Sequence, residues 1–144
     1  EQEIPQDPDL FEQLNLSPHI PEERAHYNDT ALLEIIKRNP QSACVKYPFK
    51  VALNARNGVE RKYPLYQAVS LGASLSTTKS LCRACPEAIT WQRTKGSTVV
   101  HAACSSGAEK DVVAYLIRRF PAALGIKTRW GYTPLHNAVA YNRA

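Results

Sequence analysis

A helix start recurs along this chain every 35 residues, and a chain that repeats at such a period has to stack its units side by side. The last copy is Gly131-Tyr132-Thr133-Pro134-Leu135-His136-Asn137-Ala138-Val139. The same offset puts Val99, inside Gly96-Ser97-Thr98-Val99-Val100-His101-Ala102-Ala103-Cys104, at the position of Pro134. One period earlier stands Pro64, inside Tyr63-Pro64-Leu65-Tyr66-Gln67-Ala68-Val69. Gly72, Gly107 and Asn142 share a further column, of residues that tolerate the left-handed backbone of a turn between helices. Pro86 and Pro121 share another, each just after an apolar helix. No single unit of this size buries its own apolar face, so neighbours must cover it.

Each copy specifies a turn and then an abrupt helix. Thr133 can cap free backbone N–H groups, and Pro134 suits the first helical position, where its missing N–H costs nothing. Leu135, Ala138 and Val139 then share one helical face. Residues 63–97 and 98–132 read as complete repeats, and 133–144 as the first helix of a further one. The second helix of 98–132 carries a clean stripe of Val112, Val113, Leu116, Ile117 and Phe120; its counterpart, Thr77, Thr78, Leu81, Cys82 and Cys85, is weaker. Residues 17–43 read as a degenerate first repeat, with start signals at Pro21-Glu22-Glu23-Arg24 and Asn28-Asp29-Thr30 and a stop at Pro40. Residues 44–62 form an enlarged connection, expected as an extended hairpin finger turned at Asn57-Gly58. Residues 1–16, rich in Pro, Gln and acids, read as a flexible acidic leader, within which Asp9–Leu14 offers one amphipathic turn. The chain starts at Glu1 and its last repeat stops after one helix, so the expectation is a piece of a longer protein.

The Thr133-Pro134-Leu135-His136-Asn137-Ala138 run is the T-P-L-H-x-A pattern, and over residues 17–144 the chain resembles ankyrin-repeat proteins. The resemblance implies an all-α solenoid of ankyrin-type helix pairs with hairpin finger loops. It implies that fingers and first helices line a concave groove that grips another protein. It gives His101 and His136 a structural role, tying adjacent turns by hydrogen bonds; Tyr66 takes that column one repeat earlier. The pattern also places an Asp three residues before the finger glycine, where this chain has Arg93 and Thr128, so its finger bonding is expected to differ.

Other chemistries find little footing. Cys82-Arg83-Ala84-Cys85 is a C-x-x-C, but Cys82 falls in the column of Ile36 and Ile117, Cys104 in that of Val69 and Val139, and Cys44 close to that of Ile89 and Leu124. They read as reduced core fillers, which favours an intracellular, reducing compartment. No second cysteine or histidine pair completes a zinc set. Ser105 follows His101 by one helical turn, yet the pattern positions no carboxylate to orient that imidazole. Gly-rich phosphate loops, H-E-x-x-H and D-x-D-x-D-G are absent, so no enzyme activity, cofactor, metal or small-molecule substrate is expected. No apolar run is long enough to cross a bilayer, and no membrane partner is expected.

Charge is divided unevenly. Residues 1–30 hold eight of the thirteen acids and one of the eighteen Lys and Arg residues, so the repeats are strongly basic beneath a net charge of +5. Each connection ends in cations: Arg56, Arg61 and Lys62, then Arg93 and Lys95, then Lys127 and Arg129 beside Trp130. Stacked in register, these form one stripe at the groove edge, with Asn57 at the first tip. Gln67, Ser70, Leu71, Ser105, Asn137 and Tyr141 are the groove candidates on the first helices. The expected function is a non-catalytic scaffold that binds an acidic protein through this surface. The alternative is a nucleic-acid or ribonucleoprotein-associated subunit using the same cations. A thiol enzyme at Cys82 and Cys85 is the third reading. The acidic leader, lying over the basic stripe, is expected to compete with the partner.

Overall fold

The computed structural model describes residues 5–50 and 59–143. Among the described residues eight α-helices run in chain order: α1 Pro8–Leu14, α2 Pro21–Arg24, α3 Asp29–Arg38, α4 Pro64–Leu71, α5 Leu75–Ala84, α6 Val99–Ser106, α7 Lys110–Arg119 and α8 Pro134–Arg143. Between α3 and α4 stand two strands, β1 Tyr47–Lys50 and β2 Val59–Lys62. The fold is therefore mostly helical with a small sheet, rather than strictly all-α.

The helices stack in two rows. The inner row is α1, α4, α6 and α8, each against the next, and the outer row is α3, α5 and α7. Pro64, Val99 and Pro134 each open an inner helix, so the 35-residue period is the spacing of equivalent helix starts. Gly72 and Gly107 end α4 and α6 at φ of 100° and 70°, a backbone that glycine adopts without a Cβ clash. Asn142, assigned to the same column, lies within α8 and ends nothing. Pro40, Pro86 and Pro121 each start a short 3-10 turn after an outer helix. The outer row is tied at its N-terminal ends. Asp29 accepts hydrogen bonds from Ser74 N–H (2.9 Å), Ser74 Oγ (2.7 Å) and Thr77 Oγ1 (3.0 Å), locking the start of α3 to the start of α5.

The largest departure from the sequence reading is at the leader. Residues 8–14, expected within a flexible leader, form α1, the first inner helix. Asp7 caps the backbone N–H groups of Asp9 and Leu10, and Pro8 takes the first helical position. Leu10 and Leu14, four apart, are fully buried. Phe11 stacks on Tyr47 and Phe49 of β1 at centroid distances of 6.4 and 5.9 Å. α1 and α3 thus pack together as one unit of inner and outer helix. Its turn between inner and outer helices is residues 15–28, where the later repeats use only 72–74 and 107–109.

The cysteines also differ from expectation. Cys44 and Cys85 form a disulfide joining the end of the first repeat to the end of α5. Cys82 and Cys104 are free. The bridge removes the cysteine argument for a reducing compartment. Among the described residues no helix is long and apolar enough to cross a membrane.

Candidate protein-binding surface

At the first finger, antiparallel pairing sets Tyr47 opposite Lys62 and Phe49 opposite Glu60. Residues two apart on a strand share a face, so Glu60 and Lys62 turn inward with those aromatics while Val59 and Arg61 stay exposed. Lys62 is only 3% exposed. Its Nζ lies 5.9 Å from the Tyr66 ring centroid, and among the described residues it makes no ion pair. Burial, then repulsion from Arg93, brings its pKa down to about 8, against a smaller pull from Glu60. Arg93 turns back from its own finger: its Nε donates to Glu60 Oε2 at 2.8 Å, a second guanidinium nitrogen pairs with Glu60 Oε1, and Nη1 reaches Tyr66 Oη at 3.4 Å. That pairing holds the Glu60 carboxyl below its ordinary value. Lys62 and Arg93 are thus not free cations at a finger tip. Arg56 and Asn57 lie outside the described residues.

The second and third fingers are tight turns. Arg93 N–H bonds to Ser97 O (2.9 Å), and Thr128 N–H to Tyr132 O (2.8 Å). Thr128 Oγ1 accepts from Tyr132 N–H at 3.2 Å, which supplies the side-chain acceptor that the resemblance assigned to Asp. Arg129 N–H donates to Lys95 O at 2.8 Å, zipping the two turns together. Gly96 allows the approach: an added Cβ would sit 3.4 Å from Lys127 O, and φ is +89°. The zipped pair displays Lys95, Lys127 and Arg129, all exposed. Trp130 is 59% exposed, with Lys95 Nζ 5.1 Å from its ring centroid.

Below each finger one helix residue reaches forward to the next. His101 Nδ1 accepts from Thr98 N–H at 3.1 Å, so the ring proton is on Nε2, which donates to Tyr132 O at 3.0 Å. Burial holds His101 below its ordinary pKa, in keeping with a neutral ring. Tyr66 makes the same bridge one repeat earlier, its hydroxyl 2.8 Å from Ser97 Oγ. A family model described as ankyrin repeats, in three copies, matches residues 65–144. The chain belongs to the ankyrin-repeat family. No curated protein matches it. Ankyrin repeats are protein–protein interaction modules, so the inner helices and fingers are the surfaces to examine.

In this ankyrin domain the inner face divides in two. Over α6 and α8 it is open. Ser105 is exposed, Asn137 Nδ2 donates to His101 O and to Ser105 Oγ at 3.3 Å each, and the Tyr141 ring rests against Gly107. Over α4 it is covered. Gln67 and Leu71, predicted to line a free groove, are buried. Gln67 Nε2 donates to Leu14 O at 2.9 Å and to Leu16 O at 2.8 Å. Further along, Arg24 reaches past Gly72 to donate to Ser106 O at 2.9 Å. The repeat pattern does not announce this cover, because residues 15–24 have no counterpart in the later repeats.

Both nitrogens of His101 are held by neighbouring groups. Cys85 is bonded to Cys44, not paired with Cys82, and burial pushes the Cys82 thiol up to about 11.

Proposed function

We propose that this domain is a non-catalytic scaffold that binds an acidic protein segment through its second and third fingers and the open inner face beyond them. The observation that carries the reading is the zipped finger pair. Three exposed cations and an exposed indole, with Lys95 over its ring, stand on a backbone fixed by its own hydrogen bonds. Rigid aromatic and arginine side chains anchor interfaces at small entropic cost, and clustered cations speed capture of acidic partners. Ser105, Asn137 and Tyr141 extend the surface along α6 and α8. The test is reversal of Lys95, Lys127 and Arg129 to Glu. Affinity for an acidic peptide should drop at least about tenfold while the helical circular-dichroism signal stays unchanged; unchanged affinity overturns the reading. The indole under Lys95 also suits base stacking. Tighter binding to single-stranded oligonucleotide than to acidic peptide, with a steep salt dependence, would favour nucleic acid instead.

A further inference from the structure

The cover over α4 has the chemistry of a ligand. It is a segment of this chain laid across an ankyrin inner face, and its details say what else fits there. Gln67 holds it by backbone carbonyls alone, the contact an extended peptide of any sequence offers. Glu23 supplies a carboxylate to the first finger: its Oε1 lies 3.4 Å from Lys50 Nζ and accepts from Ser17 N–H at 3.2 Å. Asn15 Oδ1 accepts from Lys50 N–H at 3.0 Å. Burial, then repulsion from Lys62, Arg93 and Arg24, disfavours the protonated form of His19, which sets Lys62 and Arg93 beside the segment.

The segment also fits poorly. Gln67 Oε1 and Ser17 Oγ are buried without a hydrogen-bond partner among the described residues, each a loss that a better occupant would recover. α2 buries no residue at all, and from 15 to 24 only Ser17 is buried. The flanking α1, in contrast, is anchored by Leu10 and Leu14. The segment's own apolar hold is the half-buried Leu16, packed against the core.

We propose that residues 15–24 are a built-in placeholder and that an extended acidic peptide binds α4 by displacing them. Gln67 keeps its bond to Leu14 O, exchanges Leu16 O for a peptide carbonyl, and gains a peptide N–H at Oε1. Lys50, released from Glu23, and Lys62 take the incoming carboxylates. The proposal rests on the acidic-partner reading above but names a different place and a displacement step.

The experiment compares the intact chain with a variant whose residues 16–23 are replaced by a Gly/Ser linker of equal length. The probe is a labelled peptide alternating Glu and Ser, titrated by fluorescence anisotropy. The linker variant should bind at least tenfold tighter than the intact chain. A peptide of residues 14–24 added in trans should compete, and Gln67→Leu in the linker variant should abolish the gain. On the intact chain the probe should accelerate amide hydrogen exchange at Arg24 and Ala25, a readout that needs no folded variant. Equal affinity of the two proteins, sensitive to the Lys95, Lys127 and Arg129 reversal and without faster exchange, overturns displacement and leaves the scaffold reading standing. No binding of the probe to either protein overturns both.

Discussion

The inner row repeats one helix, and its copies differ in what lies beyond them. Leu65 in α4 and Val100 in α6 occupy the same column as Leu135 in α8; the first two are 1% and 0% exposed, the third 72%. The bridging column tells the same story. Tyr66 reaches Ser97 and His101 reaches Tyr132, while His136 holds Thr133 N–H on Nδ1 and has no partner on Nε2 among the described residues. Burial in this fold is therefore a property of the interface between repeats, not of the repeat. A residue's contribution should follow its neighbour rather than its own identity.

The sharpest way to break that comparison is the same substitution in a covered and an uncovered inner helix. Leu65→Ala should cost about 2–5 kcal/mol of unfolding free energy, as for any buried leucine. Leu135→Ala should stay within about 0.5 kcal/mol. Chemical denaturation of the two variants measures the difference; equal costs would mean that the stack does not create the core. The opposite end gives a companion prediction. Deleting residues 1–16 removes Leu10 and Leu14 from the core, so it should lower stability by several kcal/mol, on the order of two core truncations. It should not simply unmask the fingers.

The disulfide belongs to the covered end alone. Cys44 and Cys85 are 41 residues apart, and a loop of that length is stabilised by roughly 3–4 kcal/mol in the chain-entropy account. Reduction, or Cys44→Ser with Cys85→Ser, should lower the thermal midpoint. Hydrogen exchange should quicken first around α3 and α5, with α6 to α8 little changed.

What could be read from the sequence follows the same division. The repeats were legible because identical chemistry returns at one spacing: Pro64, Val99 and Pro134 do open equivalent helices. α1 was not legible as core, because its partners, Tyr47 and Phe49, come from the insertion and repeat nowhere. The disulfide was missed for a related reason. The repeat pattern sets Cys44 near the column of Ile89 and Leu124 and Cys85 in a helical stripe, and carries no distance between them. The fingers were legible as charged turns, but not which cations stay free. Lys62 goes inward through strand alternation and Arg93 through its pairing with Glu60, and neither follows from the helical period.

A subtler comparison is between His101 and His136. His101→Leu should cost about 1–3 kcal/mol, since Tyr132 O and Thr98 N–H lose their partner, and His136→Leu well under 1 kcal/mol. The pH dependence of His101 gives a second readout. The folded pKa of His101 lies below its ordinary 6.5, so below that pH the unfolded chain takes up a proton that the folded chain refuses. Stability from His101 is present above pH 6.5 and declines as the pH falls toward the lowered value. Wild type should lose stability over that interval relative to His101→Leu.

Lys62 completes the series with the smallest effect and the opposite sign. It is a buried cation whose nearest acid, Glu60, is already engaged by Arg93. Lys62→Met keeps the stem and removes the charge, and should stabilise the domain by about 1–2 kcal/mol at pH 7. Below pH 8 the lysine is protonated both folded and unfolded, so the cost of burying its charge is fully present. From about 8 to the ordinary 10.5 the folded chain gives up the proton first, the wild type gains stability with rising pH, and the gap to Lys62→Met should close. Tyr27, Tyr47 and Tyr63, held above their ordinary values chiefly by burial, act alike in both proteins and cancel from the difference. A residue that destabilises its own fold is best explained by use elsewhere. Lys62→Met should therefore weaken acidic-peptide binding in the linker variant as it strengthens the fold, and a variant both more stable and equally tight would remove Lys62 from the binding face.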